Sequence, residues 1–230
     1  MARRKSVAAI VPMKGHSERV PSKNVREFSG KPLLFWVLNE LESVKELSGI
    51  YVDTDSPVIK GLVREHFGSV EIIDRPRRIC GDTVPMNSII AHDISIIEAD
   101  VFLQTHVTNP LVMAGTFSRA IKAYFEAVRG EYDSLFSVDM LRSRLYDSWA
   151  RPLNHDPANL IRTQDLEPLY VENSNFYIFS REAFESTSSR IGRRPYMYVV
   201  PKLESMDIDD EDDFRLAESL FRQSGGGRHG

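Results

Sequence analysis

An α/β domain on a mostly parallel sheet is predicted by the short apolar runs of this 230-residue chain, the helix-period segments between them, and a cation-bearing loop after the first run. Strands covered on both faces read as continuous apolar runs, and joining two parallel strands takes a crossover long enough to hold a helix. Alternation of the two patterns therefore favours βαβ units. The 42% hydrophobic content is that of a globular chain, and the length allows a full core in one domain.

In chain order, the apolar runs at 7–11, 49–52, 70–73, 100–104, 134–138, 174–179 and 196–200 are the predicted strands. Helices are predicted over 32–43, 57–67, 88–98, 113–128 and 210–221. Pro32 begins the first of these at an early position, where its missing N–H goes unused. In the fourth, Phe117, Ala120, Ile121, Tyr124, Phe125 and Val128 recur at helical spacing and make one apolar stripe. Residues 142–169 break the alternation, being rich in Arg, Asn, Asp and Pro, and read as an insertion. No repeat or linker divides the chain, so 1–224 is read as a single domain, with 225–230 as a flexible tail.

A formal net charge of −4 disfavours a general nucleic-acid binder, which needs clustered positive charge to release phosphate counterions. No segment approaches the length of a membrane span. The basic start is followed by only a short apolar run, broken by Pro12, and is not read as a signal peptide. The single Cys80 cannot form an intramolecular disulfide and reads as a small packed residue; together with the lack of a zinc spacing it fits a reducing, cytoplasmic setting.

Three segments carry chemistry. The first is Pro12-Met13-Lys14-Gly15-His16-Ser17-Glu18-Arg19-Val20-Pro21-Ser22-Lys23-Asn24, which leaves the first predicted strand at its carboxyl end, where α/β sheets bind ligands. Gly15 permits a bend without a Cβ, Ser17 and backbone N–H groups can meet phosphate oxygens, and Lys14, Arg19 and Lys23 can offset their charge. The spacing is neither that of a Walker loop nor Gly-x-Gly-x-x-Gly. The second segment holds Asp207 and Asp209, two apart, so that an extended backbone would turn both carboxylates to one face, able to share a hard cation such as Mg²⁺. A plain acidic helix cap over 207–213 is the alternative. The third runs from Arg162-Thr163-Gln164-Asp165-Leu166 to Tyr170-Val171-Glu172-Asn173-Ser174-Asn175-Phe176-Tyr177, and its end also reads as an ordinary strand.

Together these segments resemble the acylneuraminate cytidylyltransferases, the CMP-sialic acid synthetases and their relatives. The first is similar to P-A-R-G-G-S-K-G-I-P-x-K-N, with Pro12, Gly15, Ser17, Pro21, Lys23 and Asn24 matching and Lys14 where Arg is common. Asp207-Ile208-Asp209 matches the D-I-D whose aspartates hold the metal in that family. Arg162, Gln164, Asn173 and Tyr177 fall on positions that receive the acceptor sugar. The stretch from Asp100 through Gln104, Thr108 and Asn109 to Leu111 resembles D-x-x-x-L-Q-P-T-S-P-L, with His106 in two extra residues, open to reading as a base or as a structurally bonded histidine. Arg75-Pro76 and Gly81-Asp82-Thr83 resemble a segment near the base and ribose. The likeness spans about residues 7–220.

The resemblance implies a three-layer αβα nucleotide-diphospho-sugar transferase fold, in which 142–169 is a small dimerisation insertion and the protein a homodimer. It further implies transfer of CMP from CTP to an acidic 2-keto-3-deoxy sugar, with release of pyrophosphate. Lys14 and Lys23 would serve as catalytic cations, and Pro12, Met13, Gly15, Ser17, Asn24, Arg75, Asp82 and Thr83 would bind the nucleotide. Gln104, Arg162, Gln164, Asn173, Asn175 and Tyr177 would bind the acceptor, and Asp207 and Asp209 would hold Mg²⁺. Another acid acceptor (3-deoxy-octulosonate, a legionaminate or pseudaminate type, or a phosphonate) and a non-catalytic nucleotide binder are the alternatives. Asn173 and Asn175, two apart on a predicted strand, are expected to show both amides to one face, whereas Val171 offers a carboxylate nothing.

Overall fold

The computed structural model describes residues 5–17 and 19–225; Glu18 of the first loop and 226–230 of the expected tail lie outside the described residues. In chain order the elements are β1 (Val7–Met13), β2 (Glu27–Phe28), β3 (Lys31–Pro32), α1 (Leu33–Glu42), β4 (Gly49–Thr54), α2 (Pro57–His66), β5 (Val70–Asp74), α3 (Met86–Ile96), β6 (Val101–Thr105) and α4 (Ala114–Ala127). There follow β7 (Ser134–Leu141), β8 (Leu169–Ser180), α5 (Arg181–Thr187), β9 (Pro195–Val199) and α6 (Glu211–Gln223). Each predicted strand and helix is found, with ends shifted by a few residues.

The sheet order is β5-β4-β1-β6-β8-β7-β9. β4, β5 and β6 run parallel to β1, and β9 runs parallel to β7, whereas β8 is antiparallel to both its neighbours. Side chains on a strand alternate between faces. Accordingly Val7, Ala9, Val11 and Met13 enter the core beneath α1, α2 and α4, while Ala8 and Ile10 pack against Ile90 and Ile94 of α3 and Phe184 of α5. Helices thus cover both faces of the sheet, which is why β1 is apolar at consecutive positions. A third cluster joins α6 to Phe28, Leu33 and Leu111, and Phe28 meets Phe214 and Phe221 edge-on.

Two elements were not foreseen. The β2–β3 hairpin turns through Ser29 (φ 51) and Gly30 (φ 86), a pair of positive-φ residues of the kind a tight hairpin requires, but its two-residue strands leave no periodic trace. Helix α5 is seven residues long, too short for a stripe, and is capped by Ser180, which accepts from the Ala183 N–H.

The expected insertion joins β7 to β8, whose ladder extends outward to Leu141↔Leu169. Beyond that pair, residues 142–168 form an arm with only a bridge at Tyr146↔Pro152 and one 3-10 turn at Thr163–Asp165 among regular features. The arm exposes Tyr146, Trp149, Leu153, Leu160 and Ile161. At its root the ladder skips: Phe136 faces Tyr177 but Val138 faces Glu172, so the extra β8 residues bulge around Ser174, whose φ is 55.

Candidate functional site

The carboxyl ends of β1, β5 and β6 open onto a cleft of about 400 Å³, with the loop after β1 as one wall. Pro12, Lys14, Ser17, Arg19, Lys23, Asn24, Arg75 and Asp82 line it, so most of the predicted nucleotide residues come together here. Met13, Gly15 and Thr83 are not part of the lining. Met13 falls on the face of β1 that packs into the core, and Thr83 is exposed outside the lining. The expected side-chain contacts of Met13 and Thr83 are corrected by strand alternation and loop direction.

The loop is held by polar ties. Gly15 donates its N–H to Asp55 Oδ1 at 3.0 Å, and a Cβ there would stand 2.9 Å from that of Ser56, so only glycine fits this close approach. Asn24 donates its amide to the Lys14 carbonyl at 3.0 Å, bracing the loop on itself. Lys14 pairs with Asp82 at 2.6 Å and Arg19 with Asp209 at 2.7 Å, all four side chains being well exposed. Lys23 donates to the Ile208 carbonyl and lies within electrostatic reach of Asp207 and Asp209. Burial lowers the Lys23 pKa, and the two carboxylates act against that loss.

The acidic run divides its work. Ile208 is fully buried in the α6 cluster, and Asp207 and Asp209 flank it within electrostatic reach of Lys23. Asp210 is instead the N-cap of α6, accepting from the Asp212 and Asp213 N–H groups at 2.9 and 3.0 Å; Asp213 accepts in return from those of Asp209 and Asp210. The helix-cap reading is thus met by Asp210 and Asp213, while the side chains of Asp207 and Asp209 take no part in that cap. Burial, followed by the charge of Asp209, raises the Asp207 pKa against a hydrogen bond from Thr108. Asp207 Oδ1 is buried with no hydrogen-bond partner among the described residues. An orphaned carboxylate oxygen beside a second carboxylate suits a hard cation that takes one or two carboxylates and fills its shell from phosphate and water. The residues fit Mg²⁺. No group of three or more His, Cys, Asp or Glu suited to a metal exists among the described residues, so any ion here relies on this pair and on its substrate.

Thr108 and Asn109, in the loop after β6, hold the segment in place: the Thr108 carbonyl accepts the Ile208 N–H at 2.9 Å, and Asn109 donates to Met206 O at 3.3 Å. Neither was given a role from the sequence, because both bonds span some hundred residues.

Arg75 is buried and pairs through Nε with Asp53, donating also through Nη2 to the Asp53 carbonyl at 3.2 Å. Asp93 of α3 stands against the same aspartate, and both carboxyls are 0% exposed. Burial, then the Asp53 charge, pushes the Asp93 pKa far above the usual carboxylate range, which favours the protonated acid beside Asp53.

The expected acceptor residues are not gathered in one place. Gln104 is fully buried and its amide is spent, donating to Thr105 O and to His106 Nε2, both at 3.0 Å, and accepting from Arg190. His106 therefore uses Nε2 as an acceptor; burial and the nearby Arg190 and Lys23 depress its pKa to about 3, keeping it neutral. Tyr177 donates its hydroxyl to Glu172 and lies under Arg190. Burial, then that carboxylate, pushes its pKa up to about 12. Arg162 and Gln164 are exposed on the arm, Arg162 paired with Asp165 at 2.7 Å.

The shared face expected for Asn173 and Asn175 is corrected. The bulge at Ser174 breaks the alternation: Asn173 donates to Asp139 at 3.2 Å, whereas Asn175 is fully buried and donates to Glu204 O at 2.7 Å. Asn175 braces the approach to Asp207 instead of facing a ligand.

The sequence model of a family described as Cytidylyltransferase matches residues 8–220. The N-acylneuraminate cytidylyltransferase of Oncorhynchus mykiss is 26% identical over 233 residues, covering 96% of this chain and 52% of that protein. The one of Escherichia coli O18:K1:H7 is 26% identical over 227 residues, covering 94% and 52%. This chain thus spans about half the length of those relatives. Among solved structures, CMP:2-keto-3-deoxy-manno-octonic acid synthetase complexed with CTP is similar in fold, with a TM-score of 0.68 at 14% identity over 95% of this chain and 99% of that one.

Proposed function

The chain belongs to the cytidylyltransferase family, and from that membership we propose that it transfers CMP from CTP to an acidic 2-keto-3-deoxy sugar and releases pyrophosphate. The observation that carries this reading is the meeting of the cationic loop after β1 with the acidic segment, Arg19 pairing with Asp209 and Lys23 lying within electrostatic reach of both Asp207 and Asp209. The anomeric hydroxyl of the acceptor attacks the α-phosphorus, and the bond to pyrophosphate breaks. Little covalent chemistry is asked of the protein in such a transfer; it positions the groups and offsets charge on the phosphoryl oxygens and leaving group.

Lys14, Arg19 and Lys23 supply fixed positive charge, and Lys14 and Arg19 exchange their carboxylate partners for phosphate as the nucleotide enters. Asn24 and Gly15 hold the loop in shape for that exchange. Asp207 and Asp209 would hold Mg²⁺, which when bound neutralises phosphate charge and orients the leaving group. Arg75, braced by Asp53 and Asp93, presents its buried guanidinium at the far wall.

The arm supports a further reading as a homodimer contact. Its exposed apolar residues, Trp149 foremost at 75% exposure, form a surface of the kind that buries against a second copy. Arg162 and Gln164 would then reach the acceptor site of the partner. Sedimentation velocity tests this, and a monomer at micromolar concentration would remove it. The lone, half-buried Cys80 supports a reducing, cytoplasmic setting.

The decisive experiment is pyrophosphate release with Mg²⁺ and each of CTP, UTP, ATP and GTP against N-acetylneuraminate, 3-deoxy-octulosonate and related acids. CTP is expected to be the preferred donor. Equal or better use of UTP would move the protein to another nucleotidyltransferase class, and binding of CTP without turnover of any acid would favour the non-catalytic reading.

A further inference from the structure

Arg190 is a cation that the nucleotide chemistry leaves unused. It follows α5 and is carried over the β6–β8 part of the sheet, where its guanidinium lies 4.0 Å from the centre of the Tyr177 ring. Nη1 donates to Gln104 Oε1 at 2.5 Å. These contacts fix the plane of the group and one edge. Among the described residues Arg190 makes no ion pair and no other hydrogen bond. A guanidinium has five N–H donors in a rigid fork that matches a carboxylate two-pronged. Most of that fork is unspent.

The surroundings make this costly unless an anion arrives. Burial lowers the Arg190 pKa, and the groups that act against the loss are Tyr177 and Glu172. Glu172, however, already accepts the Tyr177 hydroxyl and does not reach the guanidinium as an ion pair. A partly buried charge without a contacting counter-ion gains far more from an anion than an exposed lysine would.

The corner adjoins the cleft through one side chain, Gln104. Gln104, which holds Arg190 on one side, holds His106 on the other, and His106 lines the cleft with Lys23 and Thr108. His106 is neutral and Gln104 uncharged, so the wall between Arg190 and the phosphate-binding loop offers an incoming anion no repulsion.

We propose that Arg190 is the residue that receives the carboxylate of the acceptor, held flat by Tyr177 and aimed by Gln104. This rests on the reading of the cleft as a cytidylyltransferase site. It makes Gln104 and Tyr177 positioning residues, which matches their spent hydrogen bonds, and gives Arg190 the contact with the acid. The binding group comes from the α5–β9 connection, an Arg-rich stretch of the sequence outside the segments to which a role was given.

The test compares wild type, Arg190→Met and Arg190→Lys in acceptor KM and CTP KM, using N-acetylneuraminate, 3-deoxy-octulosonate and their methyl esters. Equilibrium binding of the same acids and esters is measured alongside, and thermal melts check that each variant is folded. Arg190→Met is expected to raise the acceptor KM about tenfold or more while the CTP KM moves less than about twofold, since the charge-assisted pair that is lost involves the acceptor alone. Preference for the acid over its ester should collapse in Arg190→Met and partly return in Arg190→Lys. An unchanged acceptor KM, or acid and ester weakening together, overturns the proposal. If wild type turns over no acid, the functional reading fails and binding decides this one: an acid held by wild type and not by Arg190→Met sustains it, and no acid bound by wild type overturns it.

Discussion

Two cationic regions of the molecule solve the same electrostatic problem in opposite ways. At the loop after β1, Lys14 and Arg19 are exposed and each sits on a carboxylate, Asp82 or Asp209. At the β6–β8 corner, Arg190 is largely buried, stacked and hydrogen-bonded, with no carboxylate in ion-pair contact. Exposed pairs are screened and weak, so a polyphosphate can displace them at small cost. A buried guanidinium cannot reorganise so freely and must be set in advance by its neighbours. The difference teaches that the loop is built to exchange partners, whereas the β6–β8 corner is built to hold a shape. Arg75, buried on Asp53 with Asp93 behind, belongs to the second kind although it lies on the nucleotide side.

The largest effect is expected from breaking the buried pair. Arg75→Met leaves Asp53 and Asp93 facing each other with no cation, and should cost about 3–5 kcal/mol of stability in a urea melt. A change within the range of surface substitutions would show that the pair reaches water and that the contrast between buried and exposed charge does not hold there.

Next comes Asp209→Asn, which keeps the shape of a ligand but removes its charge. Turnover should fall about a hundredfold or more with the melting temperature little changed. Asp212→Asn, whose carboxylate is exposed on the first turn of α6, should leave turnover almost unaltered. If the two variants behave alike, the acidic run is a helix cap and nothing else.

A smaller effect, with a defined pH dependence, is expected of Asp93→Asn. The folded pKa of Asp93 is raised above the ordinary value of about 3.9, so its contribution to stability is full below that pH and is lost progressively as pH rises toward the folded value. Asparagine does not titrate and stays neutral beside Asp53. The variant should therefore match wild type near pH 4 and melt several degrees higher at pH 8; an equal gap at both pH values would place a charged Asp93 in the fold.

The smallest is Asp82→Asn. Lys14 holds the Asp82 carboxyl below its usual range, and losing the charge frees that lysine for phosphate. The CTP KM should fall about twofold to threefold at low salt, and the change should vanish at high salt. A rise in KM would instead mean that Asp82 touches the nucleotide itself.

Much of this was legible in the sequence because it is written in local spacing. The strands are consecutive apolar runs since helices cover both faces, and Gly15, Lys23, Asp207 and Asp209 stand in short motifs whose chemistry follows from residue type. The hairpin at Ser29–Gly30 and the short α5 were not, having too few residues to show a period. Asn173 and Asn175 were misjudged because alternation was carried through Ser174, where a left-handed residue and a register skip interrupt it.

The sequence by itself determined the α/β class and marked the cationic loop at the end of β1 and the acidic segment over 207–213, whereas their meeting through Lys23 and Ile208 is tertiary. Only the tertiary structure decided which aspartates lie within reach of Lys23 and which cap α6, which amides are spent inside the fold, and that Arg190 and His106 meet across Gln104. The reason is physical. Backbone propensity and apolar period act over a few residues, whereas burial, and with it the charge state and the free hydrogen-bonding capacity of a side chain, is set by whatever distant segments close around it.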